Sequence, residues 1–302
     1  MIDISLFFAT VLIWGTTWIG IAIQVDSAPV LVAVFHRFLL AAALMLPALA
    51  LMGRLRRPPA WRFVLVQALC LFCLNFVCLY NAARLIPSGL VSVIFALASV
   101  FNAVNARIFF GDRISGRVLV AAALGVAGLI LLFWDRLVIS FDAPSLHGIG
   151  WATLGTLFFS LGNMASRRNG QLGVTPVTAN AWGMPMGAAL LALLILVQGQ
   201  GFVLPRQPDY WLASFYLAAI GSVAGFTCYL MLVSRQGPAR AGYATVVFPV
   251  VALTLSWLYE GYVWTPLAVA GLGLAGLGNL VMFAPRVPHG SLQVLEERRH
   301  EA

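Results

Sequence analysis

The sequence predicts an all-α integral membrane protein, with ten transmembrane helices arranged as two inverted five-helix repeats. Three observations lead there. The 302 residues are 61% hydrophobic and only 9% charged, whereas a soluble domain averages about 25% charged. So few charges could not cover a water-soluble body of this length, but lipid solvates apolar side chains directly. Ten stretches approach the length of about 20 apolar residues that crosses hydrocarbon as a helix. Finally, parts of the first half recur 150 residues later.

The spans are expected at 4–23, 29–52, 61–83, 86–110, 115–134, 148–167, 176–199, 210–232, 238–259 and 262–283. The first lacks a basic leader and exceeds the apolar run of a typical signal peptide, so it reads as an uncleaved first helix. Connections are short, the longest near 135–147 and 200–209, and none could hold a soluble domain. The first repeat is expected over 1–134, the second over 148–284, and a polar cytoplasmic tail over 285–302.

Charge sets the expected orientation. The 18 basic residues are all arginine. With the N-terminus in the cytoplasm, inside loops hold Arg54, Arg56, Arg57 and Arg62, then Arg107, Arg113 and Arg117, then Arg167 and Arg168, then Arg235 and Arg240. The tail adds Arg286, Arg298 and Arg299, while outside loops hold only Arg84, Arg136 and Arg206. That bias follows the positive-inside rule and places both termini in the cytoplasm. The same scatter argues against nucleic acid as the partner of a chain with net charge +8 and pI near 9.9.

The repeat rests on Gly111 and Ser115, which recur as Gly261 and Thr265, and on Gly128, which recurs as Gly278. Arg84 to Gly89 is echoed by Arg235 to Gly242. Because five is an odd number of crossings, the second copy must enter from the opposite side. Secondary transporters with that architecture bind solute near midplane, where the halves meet.

Several motifs resemble the drug/metabolite transporter superfamily, EamA family. They are Trp14-Gly15-Thr16-Thr17-Trp18, Arg37-Phe38-Leu39-Leu40-Ala41-Ala42, and Pro238 to Ala244 followed by Phe248-Pro249-Val250-Val251-Ala252-Leu253. The resemblance spans about residues 4 to 284 and is strongest to the YddG-type aromatic amino acid exporter branch. It implies ten helices in the bacterial inner (plasma) membrane and export of amino acids or related metabolites. Two features depart from the family pattern: Ser99 where Pro is common, and Glu260-Gly261 where the order Gly-Glu is usual.

No Walker A loop is present, since that loop needs a Lys for the phosphates; no ATP site and no cofactor are expected. The ten acidic residues fall in loops, termini or helix ends, so no buried carboxylate relay is expected. Cys70 and Cys73 form a C-x-x-C without a partner pair, which reads as buried thiols and not as a metal site. His36 and Arg37 are titratable groups well inside a span. Arg37 lies roughly 12 Å in from the outer end at 1.5 Å per residue. Arg37 either holds a substrate carboxylate, pairs with a loop or carbonyls, or snorkels; His36 is either a proton site or a structural imidazole.

Ser92, Phe95, Ser99 and Asn102 share one helical face at i, i+3, i+7 and i+10, against a face of Thr245, Pro249, Ala252 and Ser256. Such a stripe meets either a cavity or a packed neighbour. Pro249 removes a backbone hydrogen bond and is the candidate hinge. Thr17, Asn75, Ser160 and Asn163 are further inward polar residues, each individually more often helix-to-helix glue than ligand contact. The candidate substrate-binding set is Trp14, Thr17, Tyr80, Phe95, Ser99, Asn102, Asn163, Trp182, Tyr243 and Thr245. An aromatic-walled cavity with few polar groups suits neutral amino acids with bulky side chains. The rival functions are a carrier of drugs, purines or nucleotide-type metabolites, and, more remotely, an intramembrane enzyme. The absence of G-x-S-x-G argues against the last.

Overall fold

The structure is a computed structural model that describes residues 2–134, 142–236 and 244–283. Every regular element in them is helical. In chain order they are α1 (Ile2–Ser27), α2 (Val30–Leu51), α3 (Trp61–Ala83), α4 (Ser88–Phe110), α5 (Gly116–Leu132), α6 (Ala143–Gln171), α7 (Pro176–Val197), α8 (208–236), α9 (Ala244–Tyr259) and α10 (Pro266–Phe283).

Six of these are long and apolar enough to cross a membrane: α1 to α4, α7, and α8 over Pro208–Tyr229. Shorter apolar helices lie in α5, α9 and α10. Helix α6 is 29 residues long, but Gly, Ser, Thr and Asn dilute its apolar run. Large apolar side chains such as Leu51, Leu119, Leu196 and Leu212 stand exposed, as lipid-facing positions do.

Three of the helices are interrupted. In α3 the turns widen into a π-helix over Ala68–Leu74, and in α8 the same happens over Leu217–Ala224. Wide turns of this kind recur at functional sites because they re-aim the side chains after them. In α4, Ala96 and Leu97 form a tight turn in which Leu97 N–H donates to the Ile94 carbonyl at 3.0 Å. This turn falls between Phe95 and Ser99 in the face expected for Ser92, Phe95, Ser99 and Asn102. The turn leaves Phe95 facing inward, while Asn102 hydrogen-bonds α6.

Glycine sets the closest approaches. A Cβ on Gly128 would lie 2.6 Å from the Gly271 carbonyl oxygen, and one on Gly278 would lie 2.8 Å from that of Ala121. Both are under any real contact, so α5 and α10 pack backbone to backbone. Gly111 and Gly261, φ 73° and 68°, stand just beyond α4 and α9, in the left-handed conformation that ends helices.

Helix α9 packs on the first segment of α4, Ser88–Phe95, while α6 packs on both this segment and the second, Ala98–Phe110. At the shared end, the Glu260 carboxylate accepts from Ser88 N–H at 3.0 Å, from Ser88 Oγ at 2.7 Å, and from Ser256 Oγ. Ser256 Oγ in turn accepts from Gly89 N–H at 2.8 Å. Glu260 thus caps α4 and ties α9 to it, which the reversed Glu-Gly order permits. At the opposite end, Arg167 on α6 holds Asp112 at 2.7 Å, and that hydrogen bond keeps the Asp112 carboxyl below the usual carboxylate range.

Candidate functional site

A cavity of about 50 Å³ lies in the bundle, reached by α1, α2, α3, α4, α6, α8 and α9. Trp14, Trp18, Phe95, Phe159, Phe226 and Phe248 provide aromatic walls, and Thr17, Arg37 and Asn75 are its polar groups. The rings meet edge to face: Trp18 to Phe95 at 5.7 Å, Phe95 to Phe159 at 4.6 Å, and Trp14 to Phe226 at 5.5 Å. A single water needs roughly 10–15 Å³. The cavity has room for a few waters, and a bulky amino acid requires the aromatic walls to move apart.

Arg37 is 3% exposed. Its Nε donates to Ser222 Oγ at 3.1 Å and its Nη1 to Tyr80 OH at 3.5 Å. The guanidinium lies 4.4 Å above the Phe76 ring, a cation–π contact. Tyr80 OH donates to Gln24 Oε1 at 2.5 Å, and Gln24 Nε2 donates to Ser214 Oγ at 2.6 Å. None of the partners given for Arg37 is a carboxylate. A guanidinium does not deprotonate in proteins, so this chain carries a fixed positive charge beside its central cavity.

The expected residues divide clearly. Trp14, Thr17, Phe95 and Arg37 line the cavity. Tyr80 stands behind Arg37, fully buried and orienting it. Asn102 accepts from Asn163 Nδ2 at 3.3 Å, so these two join α4 to α6 away from the cavity wall. Ser99 Oγ donates to the Ala96 carbonyl at 3.4 Å across the turn. Trp182 is placed elsewhere altogether: its indole donates to the Arg56 carbonyl at 2.8 Å and it packs on Trp61. His36 Nδ1 meets Tyr210 OH at 2.7 Å, off the cavity, as a structural imidazole does. Pro249 lies within α9 next to Phe248. Tyr243 lies outside the described residues, and of Thr245 only its place in the first turn of α9 is described.

Several wall residues lie outside the candidate set, among them Trp18, Asn75, Phe159, Phe226 and Phe248. Trp18 is four residues after Trp14 and so shares its face. Asn75, expected as glue between helices, has its Oδ1 buried with no hydrogen-bond partner. The cue for Asn75 was a lone amide in the apolar run of α3, but its orientation depends on the preceding π-helix, which no periodicity marks. Among the described residues no cluster of His, Cys, Asp or Glu could hold a metal ion, and Cys70, Cys73 and Cys78 are buried free thiols.

A helical membrane bundle with a fixed charge in a small aromatic cavity defines a multi-pass membrane protein of the solute-transporting class. The chain belongs to the EamA-like transporter family, whose model matches residues 1–134 and 146–284. It is 31% identical over 252 residues to an uncharacterized inner membrane transporter, YedA, of Escherichia coli strain K12, covering 82% of this chain and 79% of that protein. A probable amino-acid metabolite efflux pump of the same organism is 24% identical over 253 residues, covering 80% and 82%. A crystal structure 20% identical in sequence covers 94% of this chain and 99% of its own, with a TM-score of 0.69; that likeness shows a shared fold.

Proposed function

We propose that this protein is a secondary exporter of small amphipathic metabolites, foremost neutral and aromatic amino acids, working by alternating access across the bacterial inner membrane. The observation that carries the proposal is Arg37, a buried cation with no carboxylate partner among the described residues, set in an aromatic cavity within the bundle. A solute carboxylate supplies the missing counter-ion, and the rings take an apolar side chain. A phosphate-bearing solute would call for several cations, and Arg37 alone among the cavity-lining residues is cationic. The relative described as a probable amino-acid metabolite efflux pump points the same way.

Ten crossings in two inverted halves, 1–134 and 148–284 with a tail from 285, account for the packing. Adding five to each helix number exchanges α1–α8 with α6–α3, α1–α9 with α6–α4, and α2–α8 with α7–α3. The pairs α2–α7, α4–α9 and α5–α10 map onto themselves. The two π-helices fall in α3 and α8, which are counterparts, and the family match itself falls in two stretches. With both termini cytoplasmic, as the arginine bias requires, the Ser88–Glu260 contact closes the outer side. Rocking one half against the other, with Pro249 as hinge, would expose the cavity to each side in turn.

The test is uptake into proteoliposomes containing this protein alone, with labelled neutral, aromatic, acidic and basic amino acids. Saturable flux of neutral and aromatic amino acids is expected. Silence across the panel with folded protein contradicts the amino acid reading, and flux of a purine or drug instead would assign the carrier to those solutes.

A further inference from the structure

Arg37 and Asn75 line one cavity, and we propose that together they hold the two charged ends of a free α-amino acid, Arg37 the carboxylate and Asn75 Oδ1 the ammonium. This rests on the carrier reading above and narrows its substrate class to solutes with both α-groups free and one uncharged side chain.

The Arg37 guanidinium lies 4.4 Å over the ring of Phe76, the next residue after Asn75, and Arg37, Asn75 and Phe76 all line the cavity. Nε and Nη1 are engaged by Ser222 and Tyr80, while among the described residues Nη2 has no hydrogen-bond partner. A Cβ on Gly221 would stand 3.5 Å from Nη2 and 2.7 Å from Thr17 Cγ2. Glycine at that π-helical position therefore lets α8 lie close against Thr17 and beside the guanidinium. Asn75 is 1% exposed, and its Oδ1 accepts from nothing. A buried acceptor left unmade carries a desolvation penalty, which a bound donor relieves.

Single-charge ligands fit badly. A simple anion satisfies Arg37 and leaves Asn75 Oδ1 unmade. A simple cation satisfies Oδ1 and meets the charge of Arg37. A zwitterion satisfies both, and no second ionised side chain lines the cavity to receive a charged substrate side chain. Sites built to hydrogen-bond a group reject analogues that lack it more strongly than apolar pockets reject a missing methylene.

The experiment is inhibition of labelled phenylalanine flux in proteoliposomes by unlabelled phenylalanine, N-acetylphenylalanine, 3-phenylpropionate and phenylalaninamide. Each of the last three should inhibit at least tenfold more weakly than phenylalanine. Asn75→Leu should abolish the discrimination against N-acetylphenylalanine and 3-phenylpropionate, while phenylalaninamide stays poor. Equal inhibition by all four compounds on the unaltered protein overturns the two-point site and leaves the carrier standing. Absence of phenylalanine flux removes both. The thermal midpoint of Asn75→Leu should rise, because the variant deletes an unmade buried acceptor; a lower midpoint would mean that the amide is structural and would also overturn the assignment.

Discussion

Arg37 and Trp14 carry the account at the residue scale. Arg37→Gln removes the charge and, ending where Nε stands, keeps a donor in reach of Ser222 but not of Tyr80. Hydrogen bonds to charged groups contribute about 1.5–3 kcal/mol, so flux at low substrate should fall roughly ten- to a hundredfold, with the elution profile unchanged in size-exclusion chromatography. Trp14→Ala, which opens a cavity wall, should reduce transport at normal expression. Asn102→Ala should change flux less than twofold, since Asn102 spends its side chain on Asn163. A strong transport defect in Asn102→Ala with intact folding would return that residue to the site. Sequence alone could not separate these cases. Phe95 and Asn102 sit seven residues apart on an ideal helical face and both meet α6, through Phe159 and Asn163, yet only Phe95 reaches the cavity.

Among the elements, the capping contact between α9 and α4 and the glycine seam between α5 and α10 make separate predictions. Losing a helix cap costs about 0.5–2 kcal/mol, so Glu260→Ala should lower the thermal midpoint by a few degrees. On the proposed orientation, a cysteine introduced near Ser256 should also be labelled faster from the outside in this variant, because the Glu260 carboxylate ties α4 to α9 at that end. Glu260→Gln should retain much of both effects. Gly128→Val and Gly278→Val should each cut the yield of folded protein sharply, since the added Cβ meets backbone at 2.6 Å and 2.8 Å; normal yield from either would refute the close seam. The helices themselves were largely legible from apolar length: the expected 61–83 coincides with α3, and 176–199 falls within two residues of α7. The π-helices were not, because an i→i+5 turn leaves no mark in composition or period. Trp182 misled for another reason: an aromatic near a helix start reads alike whether it faces a cavity or, as here, the Arg56 carbonyl.

For the whole molecule, the account requires one central site that faces each side in turn. The proposed inverted repeat would supply a physical basis, since two states of near-equal energy follow from two copies of one design. The most direct measurement is counterflow. Vesicles holding only this protein are loaded with unlabelled phenylalanine and diluted into a trace of labelled phenylalanine. A carrier returns labelled solute on each inward journey, so label should accumulate transiently above equilibrium and then decay, and Arg37→Gln should abolish the overshoot. Label that rises monotonically to equilibrium would identify a channel and contradict alternating access.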